Sequence, residues 1–207
     1  MTETVPAQTG ADGRQLSARG AATRRRLLEA AEAIFAELGY HEASIVKITE
    51  AAGVAMGTFY LYFGSKQECF DELVRDLNRR VRHAMKEGSS RGGTRLEQEL
   101  LGFQAYFRFT AEHNVLYRII RQAEFVSPEM FRYHYDTLGQ SYVEGLREAV
   151  VRGEVGEIDP EVTAWALMAM GELLGRRWIL WEGNTELPAD VFRELERIIG
   201  RILETER

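Results

Sequence analysis

Residues 51–66 read A-A-G-V-A-M-G-T-F-Y-L-Y-F-G-S-K. The two alanines close a short helix. Gly53 takes the positive φ that a sharp reversal needs. A second short helix comes next over residues 56–62, Gly64 breaks it, and Ser65 caps a third. Two short helices across a glycine turn form a helix-turn-helix, whose second helix lies in a DNA major groove. Binding of duplex DNA is therefore the first expectation, with the rest of the chain there to control it.

Working outward, Leu27, Leu28, Ala31, Ile34, Phe35 and Leu38 recur at helical spacing. They predict a first helix over residues 23–38, with Gly39 as its stop. Ser44 caps the helix over 45–52. A long connector helix runs over 66–86. The G-S-S-R-G-G stretch at 88–93 is a loop by composition. Thr94 caps a helix to 112, and Asn114 a shorter one to 122. Ser127-Pro128-Glu129 and Asp159-Pro160-Glu161 each combine a capping oxygen, a proline at the first helical position and an early acid. They open helices to 152 and to about 181. Pro188 starts the last helix, to 204. The expectation is an all-α chain of nine helices without strands or repeats. Residues 1–20 form a disordered arm, 21–66 the DNA-binding domain, and 67–207 a helical body entered through the connector at 66–87.

The formal net charge of the 207 residues is −6, which by itself argues against nucleic acid. Yet Arg14, Arg19, Arg24, Arg25 and Arg26 lie together with no acid between Arg14 and Arg26. Local basic density governs phosphate attraction, because screening limits charge to about 10 Å. No apolar run approaches the roughly 20 residues of a membrane span. The first residues lack a secretory core, so a cytoplasmic location and no membrane partner are expected. The lone Cys69 reads as a packed thiol. His41, His83, His113 and His134 are scattered. There is no phosphate-cradling loop, nucleophile elbow or paired-His motif, so no enzyme, cofactor or metal site is expected.

Gly39-Tyr40, Ser44, Ile48, Ala52-Gly53-Val54, Gly57-Thr58-Phe59-Tyr60, Tyr62-Phe63 and Ser65-Lys66 resemble, without a gap, the motif of the TetR family of transcriptional regulators. The resemblance covers residues 23–70. It implies a nine-helix homodimer that binds operator DNA, usually as a repressor, and is released by a small molecule held in the C-terminal body. The chain departs from the family pattern at Thr49, Ala55 and Met56, where Ala, Ser or Thr, and Lys or Arg are usual. Two readings stay open: a particular operator preference, or weak DNA binding. The alternative function is an interaction adaptor on the same fold.

Within the motif, Thr58 offers a methyl and a hydroxyl to a base edge. Tyr60 and Tyr62 offer hydroxyls to phosphates. Ser44 and Lys66 open helices whose N–H groups suit a phosphate. Lys47, Met56, Gly57 and the basic run Arg24, Arg25 and Arg26 complete the expected DNA-facing set. Phe59 and Phe63 are expected to be core.

In the body, Leu167, Met170, Leu174 and Trp178 line up at three- and four-residue steps, as do Val191, Leu195, Ile198 and Ile202. By resemblance the last two helices are the dimer surface, packing as a four-helix bundle; intramolecular core is the competing reading. The middle helices are rich in aromatics. Phe103, Phe107, Phe131, Tyr135, Trp165 and Met168, with Arg118 and Glu172 as polar groups, have the make-up of an effector site, though the same residues suit a solid core. An acyl chain with an anionic head, such as an acyl-CoA thioester, fits the walls and arginines. A neutral aromatic or cationic compound fits them with Glu172.

Overall fold

A computed structural model describes residues 9–204. Among them are nine α-helices and no strand. They are α1 (Ala18–Glu42), α2 (Ile45–Ala52), α3 (Met56–Phe59), α4 (Lys66–Ser89), α5 (Arg95–Glu112), α6 (Val115–Val126), α7 (Pro128–Val151), α8 (Pro160–Leu174) and α9 (Ala189–Leu203). A π-helical segment, Gly175–Trp181, continues α8.

The helix starts obey the capping chemistry of the sequence. The Ser44 side chain accepts from Lys47 N–H, and Asp159 from the N–H groups of Glu161 and Val162. Thr94 and Glu97 form a reciprocal capping box, which satisfies donors that the first turn leaves open. Ser65 Oγ accepts from Glu68 N–H, while the Glu68 carboxylate reaches back to Gly64 N–H.

Gly39 breaks α1 as expected: it holds φ 77° and ψ 163°, outside helical geometry, and a short helical stretch to Glu42 follows the kink. Two expectations change. The second short helix is one turn, Met56–Phe59, because Tyr60 N–H already bonds back to Thr58. Part of the arm expected at 1–20 lies outside the described residues. Of the remainder, Ala18, Arg19 and Gly20 belong to α1, capped by Ser17. Residues 9–15 make a small turn, closed by a Thr9–Gln15 bridge.

The chain divides into two compact units. One contains Met1–Asp76 and Arg118–Met130. Its core is built on Leu27, Phe35, Ile48, Phe59, Phe63 and Phe70, all essentially inaccessible to water. Phe35, Tyr40 and Phe70 pack ring on ring, with centroids 5.2–5.7 Å apart. The other contains Leu77–Tyr117 and Phe131–Arg207. There α5 packs on α8, on its π continuation and on α9, around Phe103, Phe107, Leu146, Leu167, Leu195 and Ile199.

Candidate nucleic-acid interface and effector site

Gly53 occupies the left-handed region, φ 64° and ψ 40°, and its N–H and that of Val54 return to α2 carbonyls. A Cβ there would meet nothing within 4 Å. The backbone conformation, not crowding, calls for glycine. Two residues later Ala55 stands at the head of α3, which begins without a side-chain cap because alanine has no oxygen to give. The helix is pinned from beneath by Phe59 and Phe63, both fully buried as expected. Its outer surface carries Met56 at 54% exposure and Tyr60 at 49%. Gly57 is exposed there too, and Thr58 is half-buried. A Cβ on Gly57 would meet nothing within 4 Å, which leaves room for close approach at this point. Tyr62 faces the other way and is buried.

The cations sort into two kinds. Arg24 is turned inward: its Nη2 donates to Glu72 Oε2 at 2.6 Å, and the guanidinium lies 5.0 Å over the Phe63 ring. Burial alone would raise the Glu72 carboxyl. The hydrogen bond and charge of Arg24, with Arg75 adding its own, overcome that and hold it below the usual carboxylate range. Lys66 is likewise engaged, its Nζ donating to the carbonyls of Tyr40 and Ala43, both at 2.8 Å, over the Tyr40 ring. Arg25, Arg26 and Lys47 are exposed. Arg25 makes a 3.6 Å ion pair with Glu29 one turn on, and Lys47 Nζ touches the Glu42 carbonyl at 3.2 Å.

The turn at residues 9–15 adds what periodicity did not signal. Ala11 N–H donates to the Leu61 carbonyl at 3.0 Å, just past α3. Asp12 accepts from both the backbone N–H and the Nε of Arg14. The turn that carries Arg14 is thereby tied to Leu61.

In the second unit, five of the expected effector residues come together. Tyr135 donates to Glu172 Oε2 at 2.9 Å, and Arg176 Nη2 donates to Oε1. The ring of Tyr135 meets Phe131 edge-on at 5.0 Å and lies near-parallel to Trp165 at 6.5 Å. Met168 Sδ and the Trp165 ring sit over Gly139 of α7. Phe103 and Phe107 instead fill the core. Glycine makes room for them: a Cβ on Gly171 would stand 2.9 Å from the Phe103 ring, and one on Gly175 2.0 Å from the Tyr117 hydroxyl. That hydroxyl accepts from Tyr106 at 3.2 Å. Arg118 is not in this group, belonging to the first unit, where it donates to the Ala36 carbonyl. Sequence reasoning also missed a buried lock. Asn78 donates to the His134 carbonyl and faces its Nδ1, while Thr137 donates to Asn78.

On the expected dimer helices, Leu167 and Leu195 are buried in the protomer's own core. Met170, Leu174, Trp178, Val191 and Ile202 are half-buried and pack against that core, and Ile198 is exposed. The exposed apolar stripe of α8 lies one residue earlier, on Val162, Ala166, Ala169 and Leu173. One residue is about 100° of helix, so the outward face is rotated from the expected one.

The sequence profile of the family described as "Bacterial regulatory proteins, tetR family" matches residues 27–73. YdgC, an uncharacterised HTH-type transcriptional regulator of Bacillus subtilis (strain 168), is 32% identical over 170 residues, spanning 80% of this chain and 85% of its own. The chain belongs to the TetR family. The fatty acid metabolism regulator protein of the same strain is 28% identical, over 69% of this chain and 82% of its own. The crystal structure of a transcriptional regulator FadR from Bacillus subtilis in complex with stearoyl-CoA has the same fold. It superposes with a TM-score of 0.74 at 21% identity, covering 87% of this chain and 99% of that one. Like other members of the TetR family, this chain is a DNA-binding transcriptional regulator, and its helix-turn-helix falls within the matched segment. Among the described residues no cluster suited to a metal ion occurs, and no helix is long and apolar enough to cross a membrane.

Proposed function

We propose that this TetR-family regulator binds a palindromic operator as a homodimer, represses from it, and is released by an acyl-CoA-like effector. The observation that carries the DNA half is the outward surface of α3. Met56, Gly57 and Tyr60 are exposed on a helix whose other face is anchored by Phe59 and Phe63. In this reading Thr58 and Tyr60 meet the groove, and Ser44, Lys47, Arg25 and Arg26 meet phosphates. Arg24, Lys66 and Tyr62 act from within, by fixing the module.

Dimerisation is assigned to the exposed stripe of α8, with the exposed Trp181 and Ile198 as further apolar side chains. Leu173 is 61% exposed, Val162 67% and Trp181 65%. Large apolar side chains exposed along one helical face are normally covered, and a second copy supplies the two-fold axis a palindrome requires.

The choice of effector rests on Glu172. Both its oxygens are engaged, by Tyr135 and Arg176, and the guanidinium offsets its charge, which disfavours a cationic ligand. The surroundings offer the rings of Phe131, Tyr135 and Trp165, the Met168 thioether, and Arg176 Nε, a buried donor without a partner. A long acyl chain with a thioester carbonyl matches that set. The likeness to a fatty acid metabolism regulator supports the same class. Release is then a matter of differential affinity, since an effector that prefers the non-binding conformation draws the population toward it.

The test is fluorescence anisotropy of duplexes that flank the chain's own gene, titrated with stearoyl-CoA, free stearate and CoA. The expected result is a salt-sensitive complex dissolved by the thioester at micromolar concentration and not by CoA. A complex indifferent to all three removes the effector assignment, and no complex at low salt removes the function.

A further inference from the structure

At Gly39, φ 77° and ψ 163° swing the next N–H out of the helix. In an unbroken helix Tyr40 N–H would bond to the Ala36 carbonyl. Here both groups lose that partner, and buried backbone groups left unpaired are costly. Both are satisfied from α6. Gln122 Oε1 accepts from Tyr40 N–H at 2.6 Å, and Arg118 Nη1 donates to the Ala36 carbonyl at 3.3 Å. Gln122 Nε2 donates to the Phe35 carbonyl at 3.1 Å, and also to that of Arg118 at 3.1 Å. The carboxamide thus has its oxygen engaged and both donors placed. The opposite orientation would set its NH2 against an N–H and its oxygen against two carbonyls, so the network itself fixes it.

Beyond Gly39 lies the corner from which the helix-turn-helix hangs. Ala43 N–H bonds to the Gly39 carbonyl, and Lys66 gathers the carbonyls of Tyr40 and Ala43. The Tyr40 hydroxyl donates to Gln67. Ser44 then caps α2, which leads through Gly53 to α3. All of these residues lie in the first compact unit.

We propose that Gln122, assisted by Arg118, is a positioning residue for operator recognition. It brackets the elbow of α1 and so sets the angle at which α2 and α3 leave it. In this proposal both act through the elbow and not through contact with DNA or effector. The proposal rests on the DNA-binding function proposed above. It adds that discrimination between sequences depends on a side chain far beyond the recognition helix. Displacing a reading helix by a fraction of an ångström spoils base-edge hydrogen bonds, while non-specific attraction to phosphates survives.

The experiment uses the full chain. A duplex is selected from a random library by the wild type, and its Kd is compared with that of a scrambled duplex of equal length, with active protein titrated for every variant. Gln122→Met keeps the volume and removes both elbow bonds. It is expected to weaken binding to the selected duplex at least tenfold and leave the scrambled duplex within twofold. A purely structural role would not change that ratio once active protein is counted. Arg118→Met alters a more exposed side chain and serves if Gln122→Met does not fold, with an expected three- to fivefold loss on the selected duplex alone. Wild-type discrimination in the variants, or equal loss on both duplexes, overturns the proposal while leaving the DNA-binding function intact. A wild type that selects no duplex overturns both.

Discussion

At the scale of the residue, the basic run shows how far a local reading reaches. Arg24, Arg25 and Arg26 are indistinguishable in composition, yet only Arg24 falls on the side of α1 where Glu72 meets it. Arg24→Met leaves the Glu72 charge with Arg75 alone. It should cost about 2 kcal/mol of stability in urea unfolding, with little change in the salt dependence of DNA binding. Arg25→Ala with Arg26→Ala should do the reverse, holding stability and reducing the slope of log K against log salt by about 1 for each phosphate no longer neutralised. Equal slopes in both variants would contradict the sorting. His134 supplies a second test. Burial pushes its imidazole down to about 4, and Asn78, whose amide donates to its carbonyl and faces Nδ1, suits the neutral ring. The unfolded chain therefore takes up a proton first as pH falls below about 6.5. Stability is intact above that value and is lost down to about pH 4. Between pH 7 and 5 the wild type should lose roughly 2 kcal/mol more than His134→Gln. Parallel losses would show that the ring titrates freely.

At the scale of the element, glycine decides how helices approach. Gly175→Ala would set a methyl against the Tyr117 hydroxyl, at a point where the helix has already widened to π geometry. It should destabilise the chain by about 1–3 kcal/mol, read as a lower midpoint in urea; an unchanged midpoint would mean that Tyr117 yields freely. Much of the element plan is legible in the sequence because its signals are short-range. Ser44, Ser65, Thr94 and Asp159 each bond to a backbone group within three residues, so the chain alone announces them. Gly53 is legible for the same reason. Gly39 is legible in part: the sequence marks the break, and not the partners that Gln122 and Arg118 bring to the opened backbone from about 80 residues away. The stripe of α8 is misphased by its sequence for a related reason. That sequence is apolar nearly all round, and which face turns inward is fixed by the helices packed against it, α5 among them. Phe131, Tyr135, Trp165, Met168 and Glu172 do gather, as their spacing on α7 and α8 suggests. Phe103 and Phe107 go elsewhere, because an aromatic on a helix looks the same in sequence whether it lines a site or fills a core.

At the scale of the whole molecule, reading a palindrome takes two copies of the chain on one stretch of DNA. Leu173→Glu places a charge in the exposed stripe of α8, far in sequence from the reading helix. It should convert the proposed dimer to monomer in light scattering and weaken operator binding at least tenfold, since each half then binds alone. A dimer that survives would move the interface elsewhere. The most direct measurement is the stoichiometry and footprint of the full chain on a selected duplex as salt is varied. Two chains per duplex are expected, protecting two symmetric half-sites about 34–36 Å apart, with affinity falling steeply as salt rises. One chain per duplex, or equal protection of any sequence at low salt, would contradict a symmetric pair of reading helices.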